Sequence, residues 1–269
     1  MSAGGLRNTI NRKRPILAPI MRGFARGVVH RRAEFRHHVV REAWTVAKRF
    51  GAEGIENIEL REIPCVQDVV VEGYVDDYQR LVMAALARGL ECRTFFEIGT
   101  ASGRTSWILA RSNPELELFT LDLPPASTPE DTALNLGPDD RAFLRDASCG
   151  HAFHGTPEAA RIEQLSGDSA TFDFSPWEGK IDFVYVDGAH TYDYVRHDTE
   201  NALRMLSPTG TIVWDDYTTG DAVYHFITDC APSLDRTVYH VFGTRMVIYS
   251  RRDFVHRLPF SNFTSIPAV

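Results

Sequence analysis

The stretch Phe95-Phe96-Glu97-Ile98-Gly99-Thr100-Ala101-Ser102-Gly103-Arg104-Thr105 decides how the chain folds. A run of buried-strand character enters a turn of small residues, and a helix is predicted over 104–112. Small residues let a ligand approach the backbone, and the start of the following helix offers free N–H groups. The two glycines stand four apart with Ala101 between them, so the Gly-x-Gly-x-x-Gly dinucleotide fingerprint is not met. No Lys follows Gly103, which excludes a P-loop. Glu97 at the strand's end suits a cationic ligand better than a pyrophosphate. An ordinary tight strand-to-helix turn would carry the same small residues.

Working outward, strands are predicted at 93–98 (RTFFEI), 116–121 (LELFTL), 161–165, 181–186 (IDFVYV) and 210–214 (GTIVW). A helix at 191–206 is closed by Ser207-Pro208-Thr209-Gly210. Before the first strand, Asp76 or Asp77 caps a helix whose Tyr78, Leu81, Val82, Ala85 and Leu86 share one face, and Gly89 ends it. Strands apolar on both faces and joined by helical crossovers specify an α/β fold with a parallel sheet covered on both sides. Val238–Val241 and Arg245–Tyr249, separated by Phe242-Gly243-Thr244, read as an antiparallel hairpin. The stretch 123–160 is rich in Pro, Gly, Asp and Ser without a period, as expected of a lid or substrate loop.

The chain has 269 residues, enough for one sizeable core without staples, and its 43% hydrophobic against 24% charged residues excludes a disordered chain. Its four cysteines, Cys65, Cys92, Cys149 and Cys230, have neither zinc nor redox spacing, and a reducing cytoplasm is the expected location. No apolar run is long enough for a transmembrane segment, and Ile16–Met21 is too short for a signal core. Residues 1–50 hold twelve Lys/Arg against Glu34 and Glu42, a net of +10, whereas the remainder is acidic. This basic arm, residues 1–70, is set apart from a domain at 71–269. Its stripe Phe35, Val39, Ala43, Val46 and Phe50 predicts a helix stopped by Gly51. Such a helix packs as a lid, as a dimer contact in a homo-oligomer, or on a membrane surface. Its charge suits peripheral contact with anionic lipid or nucleic acid, but a solvated Arg-rich exterior accounts for it too, and a nucleic-acid partner is not expected.

Ligands of open α/β sheets bind outside the carboxyl ends of the strands, and acidic residues stand at four of those ends. Asp122 can accept both hydroxyls of a ribose, and Gly167-Asp168-Ser169 can meet an adenine amino group. Tyr185-Val186-Asp187-Gly188-Ala189-His190 and Val213-Trp214-Asp215-Asp216-Tyr217 bring Asp187, Asp215 and Asp216 to one rim. Three carboxylates there call for a compensating cation, and oxygen ligands select Mg²⁺, Mn²⁺ or Ca²⁺. His190, three residues after Asp187, would stand beside it as a general base. Helix capping by one or two of these residues is the plainer alternative. His151 and His154 lack an acidic third ligand, and His37-His38 falls on the basic helix; neither pair reads as a metal site.

Together FFEIGTASGRT, LDL at 121–123, GDS at 167–169, VDGAH at 186–190 and WDDY at 214–217 resemble the class I S-adenosylmethionine-dependent methyltransferases over about residues 72–250. Within them, the pattern resembles the metal-assisted O-methyltransferases of catechols and macrolide sugars. The catechol enzymes usually carry Asp-Asn in place of Asp215-Asp216 and Lys in place of His190; the His variant resembles the sugar-modifying branch. The resemblance implies a Rossmann-like, doubly wound, seven-stranded sheet with the last hairpin inserted antiparallel. It implies that Glu97, Gly99 and Gly103, with Ala101 and Ser102 between them, line the methionine and ribose of S-adenosylmethionine. Asp122 would hold the ribose, and Asp168 with Ser169 would flank the adenine. Asp187, Asp215 and Asp216 would hold Mg²⁺, and Asp187 with His190 would serve catalysis on a small-molecule hydroxyl. Two other functions are weighed: a nucleotide-dependent oxidoreductase, disfavoured by the glycine spacing, and a non-catalytic interaction protein, disfavoured by the intact acidic rim.

Overall fold

The computed structural model describes residues 38–41, 74–144, 149–218, 220–236, 238–241 and 244–252. Its strands are β1 (His38–Arg41), β2 (Thr94–Ile98), β3 (Glu117–Asp122), β4 (Ile162–Ser166), β5 (Ile181–Val186), β6 (Leu206–Trp214), β7 (Val238–Val241) and β8 (Val247–Ser250). They form one sheet in the order β1-β7-β8-β6-β5-β2-β3-β4. All neighbours are parallel except β8, which runs antiparallel to both β6 and β7. The seven strands and the inserted hairpin follow the expectation. The winding reverses at β2: the chain moves outward through β3 and β4, then returns to the other side of β2 as β5. A crevice opens at the carboxyl ends of the strands where the order reverses.

Helices α1 (Tyr74–Gly89), α2 (Arg104–Ser112), α3 (Pro138–Phe143), α4 (Tyr192–Met205) and α5 (Ala222–Cys230) complete the described fold. Strand alternation divides the core between two faces. Phe95, Phe183 and Val213 pack with Val82, Met83 and Leu86 of α1 and Leu109 of α2. Phe96, Val184 and Trp214 pack with Val195 and Met205 of α4 and Phe226 of α5. Phe95 meets Phe183 edge-on at 5.5 Å, and Phe96 meets Trp177 edge-on at 5.3 Å. Each such buried ring contributes roughly 1.5–3 kcal/mol. Among the described residues no helix is long and apolar enough to cross a membrane, and Cys92, Cys149 and Cys230 are free thiols.

Four expectations are corrected. First, the sequence around Val39 forms β1 where a helix was expected; the β-branched pair Val39-Val40 registers with Tyr239-His240 of β7 and makes an eighth, edge strand. Phe35, Ala43, Val46 and Phe50, the remainder of the arm, its boundary at residue 70 and Cys65 lie outside the described residues. Second, Asp76 and Asp77 lie within α1, which is described from Tyr74 onward, rather than preceding it as a cap. Third, Ser207–Gly210 is not a separate turn but an irregularity within β6, where Leu206 pairs with Ile181 and Thr211 already pairs with Phe183. Fourth, the 123–160 stretch contains α3 and two short 3-10 turns, Pro129–Asp131 and Pro157–Arg161. Each of the three opens on a proline, whose fixed φ suits a first helical turn.

At the reversal the backbones come very close. Asp187 donates its N–H to the Ile98 carbonyl at 2.9 Å, and Gly99 follows with φ +101°. A Cβ on Gly99 would lie 2.0 Å from the Asp187 carbonyl oxygen. Gly99→Ala therefore meets both a left-handed backbone and a backbone collision that no side-chain rotation relieves. We expect it to cost at least about 3 kcal/mol, read as a fall in the urea midpoint. A midpoint equal to that of the parent would contradict the close approach.

Candidate active site at the sheet reversal

The turn after β2 forms one wall of a cavity of about 1070 Å³. Ala101, with φ +43°, donates its N–H to Asp122 Oδ2 at 2.7 Å, and Leu123 N–H donates to Asp122 Oδ1 at 2.8 Å. The carboxylate thus ties the turn to the end of β3 and still faces the cavity. Cys149 Sγ lies 3.6 Å from Asp122 Oδ2; burial and that carboxylate push its thiol up to about 12. Gly103 starts α2 so tightly against Phe153 and Gly150 that a Cβ would meet both within 3 Å. Gly99, Ala101 and Ser102 line the cavity.

Glu97 does not. It is 1% exposed and its Oε2 accepts from Ser106 Oγ at 2.6 Å and Thr120 Oγ1 at 2.7 Å. The expectation that it touches a cofactor is corrected: strand alternation turns it into the packing behind the turn, where it braces α2 against β3. Burial raises its carboxyl to about 7 despite those two donors. Asp168 and Ser169 do line the cavity. Asp168 accepts from Ala133 N–H (2.7 Å), Ala170 N–H (2.9 Å) and Tyr194 Oη–H (3.0 Å), so it anchors the 123–160 stretch to α4.

The opposite wall carries the acidic rim, and its grouping differs from the expected one. Asp187, His190 and Asp216 bring ligand atoms within 4.8 Å of one another, the only such group among the described residues. Asp215 is not in it. Its carboxylate receives Gln79 Nε2 at 3.0 and 2.8 Å, Tyr185 Oη–H at 2.8 Å and the Asp216 N–H at 2.7 Å, with Arg245 Nε at 3.6 Å. Asp215 continues the face of Val213, which α1 covers, and therefore meets Gln79 of that helix. Asp216 turns away in a left-handed conformation, φ +54°, toward His190. His151 and His154 form no metal group; His154 Nε2 pairs with Gln164 Oε1 at 2.9 Å.

Charge at this wall is shared between cations and several carboxylates. His190 Nδ1 lies 2.5 Å from Asp140 Oδ1, and its Nε2 lies 2.7 Å from Asp216 Oδ2 as an off-line ion pair. Arg245 Nε stands 3.1 Å from Asp216 Oδ1. Burial favours the neutral imidazole, yet the two carboxylates outweigh it and raise His190 to about 11. The expected general base is therefore held as an imidazolium in this arrangement. Burial also acts on Asp216, but His190 and Arg245 hold its carboxyl below the usual range. Burial, then Asp215 and Asp216, raise Asp187 well above it.

Gln79, Tyr185, Asp140 and Arg245 were not found by sequence reasoning. Gln79 carried a signal, because it shares a face with Val82, Met83 and Leu86; a polar residue on a buried stripe needs a partner. Asp140 carried a fainter one in Gly137-Pro138-Asp139-Asp140, a helix start with an acid at the third position.

Residues 96–217 match the family described as "Methyltransferase domain". No curated protein sequence matches the chain. Among solved structures, cofactor-bound Rv0187 from MTB is 18% identical with a TM-score of 0.45, covering 64% of this chain and 78% of its own. The O-methyltransferase TomG from Streptomyces achromogenes, in complex with SAM, is 21% identical with a TM-score of 0.45 and the same two coverages, 64% and 78%. A methyltransferase from Geobacter sulfurreducens is 18% identical with a TM-score of 0.43, covering 64% of this chain and 77% of its own.

Glu97 yields a pH test. Its folded carboxyl lies above the unfolded one, near 4.5, so the folded state holds the proton more tightly. Stability from this group is complete below about pH 4.5 and is lost as pH rises through about 7. That loss is of order 3 kcal/mol, at 1.36 kcal/mol per pH unit. Glu97→Gln should flatten the fall in urea-derived stability between pH 5 and 8 relative to the parent. Parallel profiles would mean that Glu97 is not buried as described.

Proposed function

We propose that the chain transfers the methyl group of S-adenosylmethionine to a hydroxyl of a small molecule, a reading supported by the match of residues 96–217 to the family described as "Methyltransferase domain". The observation that carries this reading is one cavity that joins the Gly99–Gly103 turn and Asp122 to the Asp187, His190 and Asp216 group. A volume near 1070 Å³ accommodates a cofactor together with an acceptor. The ribose hydroxyls would bind Asp122, whose carboxylate has about four acceptor sites, only two of them taken by backbone N–H groups. Asp168 and Ser169 would border the adenine. The acceptor hydroxyl would face Asp187, His190 and Asp216, and fixing it in line with the sulfonium methyl is the main task of the site.

The donor set of two carboxylates and one imidazole fits a divalent cation such as Mg²⁺ or Mn²⁺, with Asp187, His190 and Asp216 as its holders in place of the expected Asp187, Asp215 and Asp216. Such a cation supplies positive charge that lowers the pKa of the acceptor hydroxyl. His190 and the ionised form of Asp187 are the groups placed to take the hydroxyl proton. His190 does so only after giving up the proton held between Asp140 and Asp216. Asp215 acts from behind, fixing the Asp216 backbone through its N–H.

Calorimetry with S-adenosylmethionine is the first test, and Asp122→Ala should weaken binding by about 2–4 kcal/mol. Equal affinity in that variant, or binding of NADH without binding of the sulfonium, would overturn the cofactor assignment. Methyl transfer to a panel of hydroxylated sugars, polyketides and catechols should fall in EDTA and return with added Mg²⁺. Full activity in EDTA would remove the cation and leave a metal-free transferase.

A further inference from the structure

The 123–160 insertion delivers one side chain that neither the rim nor the cofactor wall accounts for. Asp140 lies on α3, is 8% exposed, and makes a set of bonds that converge on a single residue across the cavity. Its Oδ1 meets His190 Nδ1 at 2.5 Å, and its two oxygens accept the His190 backbone N–H at 3.3 and 3.2 Å. The remaining contact, Gly137 N–H to Oδ2 at 3.0 Å, closes the first turn of α3 and fixes Asp140 itself. With Asp140 Oδ1 against His190 Nδ1, Nε2 is left as the atom turned toward Asp187 and Asp216.

We infer that Asp140 is the positioning residue of His190: α3 clamps both the ring and the backbone of that residue and so aims Nε2 at the acidic group. This deepens the proposed function and rests on it. Whether His190 binds a cation or moves a proton, its other nitrogen needs a fixed partner, and a carboxylate behind an imidazole supplies one. The insertion then has a role beyond covering the cavity. Without α3 the ring keeps the Asp216 contact at Nε2 but loses its partner at Nδ1 and the hold on its backbone N–H.

Two measurements on the full chain test this, neither requiring a known acceptor. In ¹⁵N-His-labelled protein, the His190 Nδ1 proton should give a far-downfield signal from the short charge-assisted bond. Asp140→Asn keeps the size of the side chain and an acceptor for Gly137, and it should lose or strongly shift that signal. Titration with Mn²⁺ alone should show affinity lowered about 10–100-fold in Asp140→Asn, with S-adenosylmethionine binding unchanged as proof of folding. Asp140→Glu should recover part of both readouts. If Asp140→Asn keeps the downfield proton and the Mn²⁺ affinity, Asp140 is only a helix cap and the inference falls. If the parent protein binds no Mn²⁺, the cation reading fails, and the fate of the proton signal in Asp140→Asn still decides the positioning role.

Discussion

Where β2 and β5 end side by side, a Cβ at position 99 would sit 2.0 Å from the Asp187 carbonyl oxygen, and everything around the cavity follows from that approach. Gly99 also donates its N–H to Leu121 at 2.8 Å, so the same turn is pinned to β3 and brings Asp122 under it. Three strand ends are thereby held by backbone contacts before any side chain takes part. The wall that carries Asp122 and the acidic wall are then two sides of one crevice, because the strand order reverses between β2 and β5. Rigid sheet edges are suited to this work, since alignment of reacting groups tolerates little displacement.

The acidic wall is organised by the cost of burying like charges. Asp216 stands between two cations, with Arg245 at 3.1 Å and His190 at 2.7 Å, and Asp140 closes the other side of the imidazole. Asp215 is neutralised in part by Arg245 and satisfied by Gln79 and Tyr185. Asp187 has the His190 charge nearby, but burial and the two carboxylates Asp215 and Asp216 outweigh it and raise its carboxyl. Four carboxylates, Asp140, Asp187, Asp215 and Asp216, thus share two cationic side chains, His190 and Arg245.

Legibility followed the range of the interaction. Asp122, Asp168, Asp187 and Asp216 line the cavity, and they were legible because a carboxylate just after a strand is a local pattern with a known place in an open α/β sheet. Asp215 lines the cavity but stands outside the group of Asp187, His190 and Asp216. Alternation sends it toward α1, and the left-handed backbone at Asp216 breaks that alternation for its neighbour; the doublet Asp215-Asp216 announces neither. Glu97 was read as a ligand contact because it ends a strand, yet its partners Ser106 and Thr120 lie on α2 and β3. His190 was read as a base from its spacing to Asp187. Its protonation depends on Asp140, fifty residues earlier in a stretch with no periodicity.

By itself the sequence determined the alternation of strands and helices, the antiparallel hairpin at the end, the tight turn at Gly99–Gly103 and the acids at the strand ends. Each of these depends on contacts within a few residues: apolar period, turn chemistry and the position of small residues. Tertiary structure alone decided which of three carboxylates share a site, that Glu97 braces the core, that residues 38–41 add a strand and that α3 reaches His190. Those outcomes depend on which side chains from distant segments meet in a low-dielectric crevice. There, a shift of a few ångströms changes whether a charge is paired, and no spacing along the chain encodes that.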